Sequence, residues 1–283
     1  MYFQLLLLLL IILLIFILYK TCSNFESKKY DIIIIIPCRN RQKYWKIFKR
    51  EMDKYLAKQG LHPLYVLCAN NGGKFNRGNS INLALAFLDK HFSKDITVVT
   101  QDVDMIPRHG VIYNDQSSPI MTWFLNAGGL KGTLGDFVKI NGYSNDYYGW
   151  GEEDSDIYDR MGAMDVKYGY WPPTANDAGI LDLELKVPEK SEKAHSHQYY
   201  QKAKKHPRQY SQNNKKYGIK VDKYNQDWYN PSSFNKNKDI RKVVNAKSIE
   251  EKRKHYLENG ISSIDLSKAT ITYIGDDVVE VRY

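Results

Sequence analysis

Cysteine is scarce in this chain. Cys22, Cys38 and Cys68 are the only three in 283 residues, too few for a disulfide-stapled scaffold. Cys38 and Cys68 each close an apolar run and read as buried free thiols on neighbouring strands. No G-x-G-x-x-G turn and no Walker loop occurs, which excludes the usual dinucleotide and P-loop sites. The nearest approach to a glycosylation sequon, Asn230-Pro231-Ser232, is blocked by its proline. No internal repeat and no nucleic-acid-binding motif is present. The formal charge of +9 is therefore not read as nucleic-acid binding. A solvated lysine-rich face, or attraction to anionic ligands and lipids, accounts for it.

Residues 5–18, LLLLLLIILLIFIL, form an unbroken apolar run with Tyr2 and Phe3 before it. The run is short for a bilayer-spanning helix but long for the core of a cleaved signal peptide. We read 1–19 as an uncleaved signal anchor and 20–30 as a short stem, with cleavage near "TCS" the competing reading. Lysines 20, 28 and 29 follow the run, so flanking charge does not firmly set orientation.

From residue 31 the pattern alternates between strand and helix. "YDIIIIIPCRNR", "HPLYVLCAN" and "DITVVTQDVDMIP" read as buried strands. "WKIFKREMDKYLAKQG" and "NSINLALAFLDKHF" read as helices, the first ending at Gly60 and the second capped by Asn79 or Ser80. This order predicts an α/β fold, a Rossmann-type, mainly parallel sheet flanked by helices. Ligands in such folds sit beyond the carboxyl ends of the strands. Residues 199–247 are rich in Lys, Asn, Gln and Tyr with little apolar periodicity, and are expected to be a mobile polar insertion. "SKATITYIGDDVVEVRY" alternates like a final strand or hairpin around Gly275-Asp276.

Four groups of residues carry chemistry. Asp102 and Asp104 follow the third strand, and in extended backbone both carboxylates would share a face and could address one cation. Surface acids at a strand end are the plainer reading of that pair taken alone. His195-Ser196-His197 likewise puts two imidazoles on one side; with a carboxylate they suit Mn²⁺ better than Ca²⁺, against two exposed loop histidines. Arg39, Arg41 and Arg77 stand on loops after the first two strands, where guanidinium matches phosphate oxygens. The fourth group is "NGYSNDYYGWGEEDSDIYDRM", residues 141–161, with six acids behind aromatics and glycines. Acids in a first helical turn are stabilised by the macrodipole, which explains the carboxylates but not the Gly149-Trp150-Gly151 before them. An aromatic plane between glycines can stack on a sugar, and a carboxylate beside that sugar can act as general base. Asp154 is the candidate.

Taken in order, "IIPCRNR", "KFNRG", "DVDMIP", "NGYSNDYYGWGEEDSDIYDR" and "HSH" resemble the β-1,4-galactosyltransferases, and "LENGISSIDLSKATITYIGDDVVEVRY" is similar to that family's C-terminal part. The resemblance spans about residues 31–200 and 255–283. It implies a GT-A fold catalytic domain over 31–283 on a type II Golgi anchor, transferring galactose from a UDP-sugar with inversion to a glycan or glycoconjugate acceptor. By position, it implies that Pro37, Arg39 and Arg41 hold the uridine. Phe75 and Arg77 contact the nucleotide, Asp102 places the donor, and Gly128 and Gly129 line the donor pocket. Trp150 matches the tryptophan of a small loop over the donor. Gly151, Glu153 and Asp154 match the acceptor site, with Asp154 as base. Asp104, His195 and His197 match the Mn²⁺ ligands, and the H-x-H pair resembles the xylose-directed, proteoglycan-linker branch. Where the family has GWGGEDDD this chain has GWGEEDSD, so Glu152 replaces a glycine and Ser155 an aspartate. Asn126 stands where a tyrosine or histidine often flanks the donor sugar, which leaves the donor hexose open. Transfer to terminal GlcNAc, a catalytically inactive nucleotide-sugar-binding module and a membrane-tethered basic protein are the competing readings.

Overall fold

Isoleucines 32–36 are buried on both sides, and that burial organises the sheet. A computed structural model describes residues 29–69, 74–109, 111–114, 120–122, 129–149, 151–170, 179–182 and 231–283. Strand β1 (Ile32–Pro37) pairs in parallel with β2 (Pro63–Ala69) on one side and β3 (Thr97–Gln101) on the other. Ile32, Ile34 and Ile36 pack with Phe48, Met52 and Leu56 of helix α1 (Gln42–Ala57). Ile33 and Ile35 join Ile81, Leu85 and Leu88 of helix α2 (Arg77–His91) on the opposite face. With both faces covered, the strand has no need of polar alternation, and each isoleucine contributes about 1.5–3 kcal/mol by burial. Cys38 and Cys68 are buried free thiols, and the Cys38 amide donates to the Cys68 carbonyl at 2.9 Å.

The main sheet is mixed, where the sequence pattern predicted a mainly parallel one. Its order is β7-β5-β6-β3-β1-β2-β10-β9, with β5 (Ile120–Thr122), β6 (Gly129–Thr133), β7 (Tyr168–Tyr170), β9 (Thr270–Tyr273) and β10 (Val278–Arg282). β3-β1-β2-β10 is a continuous parallel block, and β5 and β7 also pair in parallel. β6 returns antiparallel to β3 and β9 folds back antiparallel on β10. The last hairpin forms around Gly275 (φ 71°), as its alternation predicted. A separate two-stranded ladder joins β4 (Met105–His109) to β8 (Gly179–Asp182).

Two sequence expectations need correction. Helix α2 begins at Arg77, two residues before the expected cap, because Asn76 has extended backbone and its side chain accepts from the Asn79 amide at 2.8 Å. Residues 231–245, inside the stretch expected to be a mobile polar insertion, form helix α5 (Pro231–Asn245). Proline suits a first helical position. The helix escapes apolar-pattern reading because its buried residues include Asn237 beside Val244. Residues 199–230 lie outside the described residues, as do residues 1–19 with the expected anchor. Among the described residues no helix is long and apolar enough to cross a membrane.

Amide side chains tie the middle of the chain to its end. Helices α3 (Leu134–Lys139) and α4 (Glu153–Ala163) flank the segment 140–152, and α6 (Ile249–Glu258) precedes the C-terminal strands. Asn82 of α2 donates to the Tyr143 carbonyl (2.7 Å) and accepts from the Tyr143 amide (2.8 Å). Asn141 donates to the carbonyls of Tyr256 and Leu257, and Asn145 to that of Gly260. Gly142 has φ 64°, and a Cβ there would stand 2.1 Å from Asn82 Oδ1, so only glycine fits. Arg160 of α4 is fully buried. Its Nη1 donates to the carbonyls of Ile140, Asn141 and Tyr256, and Nη2 to that of Asn259. Asp156 lies one turn earlier, 3.9 Å from Arg160 Nε, and accepts from the Tyr147 hydroxyl at 3.0 Å.

Arg160→Met should therefore cost about 3–5 kcal/mol, because four carbonyls lose a donor and Asp156 loses its counter-charge. A urea unfolding free energy that falls by less than a third of that would refute the assignment. Burial pushes the Asp156 carboxyl up from 3.8 to about 6, with Arg160 opposing the shift. The folded state then binds more protons than the unfolded chain between those pH values, so this residue's contribution to stability falls as pH rises through that window. Asp156→Asn should flatten that slope in unfolding curves recorded across the same range.

Candidate active site

The parallel strands end on one edge, and three described loops follow them: 38–41 after β1, 74–76 before α2, and 102–104 after β3. The 102–104 segment is a tight turn, with the Met105 amide donating to the Asp102 carbonyl at 3.1 Å. The extended geometry expected for Asp102 and Asp104 is therefore not adopted, and the two carboxylates meet different arginines. Arg77 Nε donates to Asp102 Oδ1 at 2.9 Å, and Arg41 Nη1 to Asp104 Oδ2 at 3.4 Å.

Arg77 reaches further. Its Nη1 donates to Asp154 Oδ1 at 3.3 Å, joining the end of β3 to the start of α4. The guanidinium lies over the Tyr143 ring at 5.8 Å and is only 8% exposed. It occupies this place because α2 begins at Arg77 itself, so its side chain leaves the first turn toward the strand ends. Asp154 keeps 37% side-chain exposure and so remains open to a ligand. Glu153 is buried, and its Oε2 has no hydrogen-bond partner among the described residues.

Charge in this cluster opposes that of the chain. Asp102, Asp104, Glu153 and Asp154 face Arg77 and Arg41, four carboxylates to two guanidiniums. Partial withdrawal from water raises the Asp154 carboxyl above its ordinary value, Glu153 and Asp102 raise it further, and Arg77 lowers it. Glu153 and Asp102 are also raised, chiefly by burial, with Arg77 again opposing. A carboxylate held above its usual range is a stronger base than one in water.

The described residues expected to hold the nucleotide gather on the same edge. Pro37 ends β1, and the Arg39 guanidinium lies over the Phe75 ring at 5.2 Å. The Gly149 amide donates to the Phe75 carbonyl at 2.7 Å, which brings the glycine-aromatic segment to this loop. Gly129 opens β6, next to β3, and is buried. Gly151 has φ 96° and leads directly into the acid pair. Gly128, Trp150, His195 and His197 lie outside the described residues. Among the described residues no three His, Cys, Asp or Glu side chains come together as a metal site, so Asp104 is the one proposed ligand whose place is given.

Two contributors escaped the sequence reading. Asn237 and Arg241 of α5 bond to the 148–152 segment and to Asp159, across more than 80 residues of chain. Their i, i+4 spacing after Pro231 was the available signal, hidden by the polar composition around it.

Known proteins share this pattern. Residues 20–114 match the family described as the N-terminal region of glycosyl transferase group 7, and residues 125–179 the one described as the N-terminal domain of galactosyltransferase. Together these spans exceed half of the chain. Bovine β-1,4-galactosyltransferase 1 is 32% identical over 149 residues, 47% of this chain and 36% of that protein. Human β-1,4-galactosyltransferase 4 is 28% identical over 151 residues, 48% of this chain and 44% of that protein. The chain thus matches less than half the length of these relatives. The crystal structure of the catalytic domain of Drosophila β-1,4-galactosyltransferase 7 with xylobiose superposes with a TM-score of 0.55 at 16% identity, covering 89% of this chain and 93% of that one. A mutant of that protein with manganese, UDP-Gal and xylobiose gives 0.54 at 17% identity, with the same coverage. These likenesses establish a common fold.

The bridge makes a directional prediction about titration. Arg77→Gln should raise the Asp154 midpoint and Glu153→Gln should lower it, read by carboxyl-carbon NMR on the full chain. Shifts of the same sign in both variants would contradict the arrangement.

Proposed function

Because the chain belongs to the β-1,4-galactosyltransferase family, we propose that it moves galactose, or a related hexose, from a UDP-sugar to a sugar acceptor in β-1,4 linkage, with inversion and with Mn²⁺. A xylose-type acceptor is favoured by the His195-x-His197 pattern. The Drosophila protein of the same fold, crystallised with UDP-Gal, manganese and xylobiose, is in keeping with that choice. The observation that carries the reading is the Arg77 bridge, because it couples the residue that places the donor, Asp102, to the base, Asp154.

In this reading Pro37, Arg39, Arg41 and Phe75 hold the uridine, with Gly128, Gly129 and Trp150 around the donor sugar. Glu153, whose Oε2 lacks a partner among the described residues, accepts a hydroxyl hydrogen bond from the acceptor and orients it. Asp154 takes the proton of the attacking hydroxyl, and its raised pKa suits that task. Arg77 keeps Asp154 ionised enough to act while fixing its distance from Asp102.

The metal fits the residues present. Asp104 contributes an oxygen in a cluster with excess negative charge. Its contact with Arg41, at 3.4 Å, is longer than a tight charge-assisted bond of about 2.7–2.9 Å. With His195 and His197 it makes an oxygen-and-imidazole donor set suited to a first-row ion. Bound there, Mn²⁺ supplies charge stabilisation to the departing diphosphate. Residues 1–19 would anchor the enzyme as a type II protein of the Golgi.

The test is a donor-by-acceptor screen with the full chain, reading UDP release and product mass with and without Mn²⁺. Transfer to a xyloside should require the metal, and Asp154→Asn should lower kcat by about 10²–10⁴ while UDP affinity is kept. Activity should fall as pH drops through the raised Asp154 pKa, so the acid limb lies above the ordinary carboxylate range. Preference for terminal GlcNAc would reassign the acceptor. UDP binding without turnover on any acceptor would overturn catalysis.

A further inference from the structure

Three successive described positions before the acid pair take left-handed backbone: Gly149 (φ 78°), Gly151 (φ 96°) and Glu152 (φ 76°). Glycine does so freely, but Glu152 carries a Cβ into a region that L-residues avoid. Such a conformation persists only where its surroundings over-determine it. Here those surroundings belong to α5. Asn237, 1% exposed, donates from Nδ2 to the carbonyls of Tyr148 (3.1 Å) and Gly151 (3.0 Å). One helical turn later, Arg241 donates from Nη1 to Glu152 Oε2 (3.1 Å) and from Nε to Asp159 Oδ2 (2.9 Å). Residues four apart share a helix face, so the two side chains act as one clasp. On the far side the Gly149 amide is tied to the Phe75 carbonyl.

The clasp is not the sole contact of α5 with the described fold. Val244 packs with Ala163 of α4 and Tyr256 of α6 in a separate apolar cluster. Asn237 and Arg241 of the same helix contact the loop and Asp159 instead. Glu152 is also the N-cap of α4, and its carbonyl accepts from the Asp156 amide at 2.8 Å. Its backbone setting therefore dictates the direction in which α4 starts, and with it the placement of Glu153 and Asp154.

We infer that Asn237 and Arg241 are positioning residues for the acceptor-binding carboxylates. By bonding to Tyr148, Gly151 and Glu152, they set where Glu153 and Asp154 stand relative to Arg77. The inference rests on the acceptor role proposed above for those two acids. An acid pair that is displaced grips the acceptor hydroxyl in poorer geometry, so a distant clasp has a large lever on acceptor use.

The experiment uses the full chain and the variants Arg241→Met, Arg241→Lys, Asn237→Ala, Glu152→Gly and Glu152→Gly/Arg241→Met. Arg241→Met and Asn237→Ala should each raise acceptor KM about tenfold, with UDP-sugar KM within about twofold, and Arg241→Lys should recover a large part of the loss. In the Glu152→Gly background, Arg241→Met should have a much smaller effect, since the residue it restrains is gone. Donor and acceptor KM rising together, or no change in either, would overturn the inference. Hydrogen exchange provides a readout independent of activity. The peptide covering 151–160 should exchange about tenfold faster in Arg241→Met while 77–91 stays unchanged. If the wild-type chain transfers no sugar, the functional reading falls and exchange alone decides: faster exchange confined to 151–160 upholds positioning by α5, and unchanged exchange removes it.

Discussion

Arg77 stands at the first turn of α2, nearly withdrawn from water, and its guanidinium is shared by Asp102 at the end of β3 and Asp154 in the first turn of α4. A buried guanidinium must keep its partners, because losing one leaves an uncompensated charge in low dielectric. That requirement constrains the rest of the site. α2 must start where it does, β3 must stop at Gln101, and α4 must point its first turn at the strand ends. Asn76 secures the first of these conditions by capping α2 immediately before Arg77.

The position of α4 follows from amides and one arginine. Asn82, Asn141, Asn145 and Asn259 exchange hydrogen bonds with backbone from the middle and the end of the chain, and Arg160 gathers four carbonyls at their junction. Such networks are rigid because each unsatisfied buried group is costly. The C-terminal strands contribute to the same end: β10 pairs in parallel with β2 and fixes the route by which Asn259 and Gly260 return to Asn141 and Asn145. Glu153 and Asp154 are thus held from behind by polar contacts, with the apolar core centred on the sheet and its two covering helices.

This division explains the charge paradox of the molecule. A chain with an excess of nine positive charges gathers carboxylates at one edge of its sheet, where two arginines do not neutralise them. Burial raises the pKa values of those acids, and each also responds to the charge of its neighbours. Remote basic residues act on this edge only through long-range field, which salt screens.

How much was legible beforehand follows from the range of each interaction. The buried strands, the first helix, the last hairpin and the order of the functional motifs depend on neighbours close in sequence, so isoleucine runs, turn residues and spacing were enough to place them. Asp154 could be singled out as a candidate base, and Asp102 with Asp104 as a candidate cation pair, from residue type and position at a strand or helix end. The donor-side expectation for Asp102 came from the family resemblance. The sequence could not show that Arg77 joins Asp102 to Asp154, that the two aspartates of the β3 turn face different arginines, or that the sheet reverses direction at both flanks. Nor could it show that α5 reaches back over more than 80 residues to clasp the left-handed segment before the acids. Those facts are set by long-range pairing of polar groups, which leaves no periodic trace in the chain. They were decided only when packing brought the partners within hydrogen-bond reach.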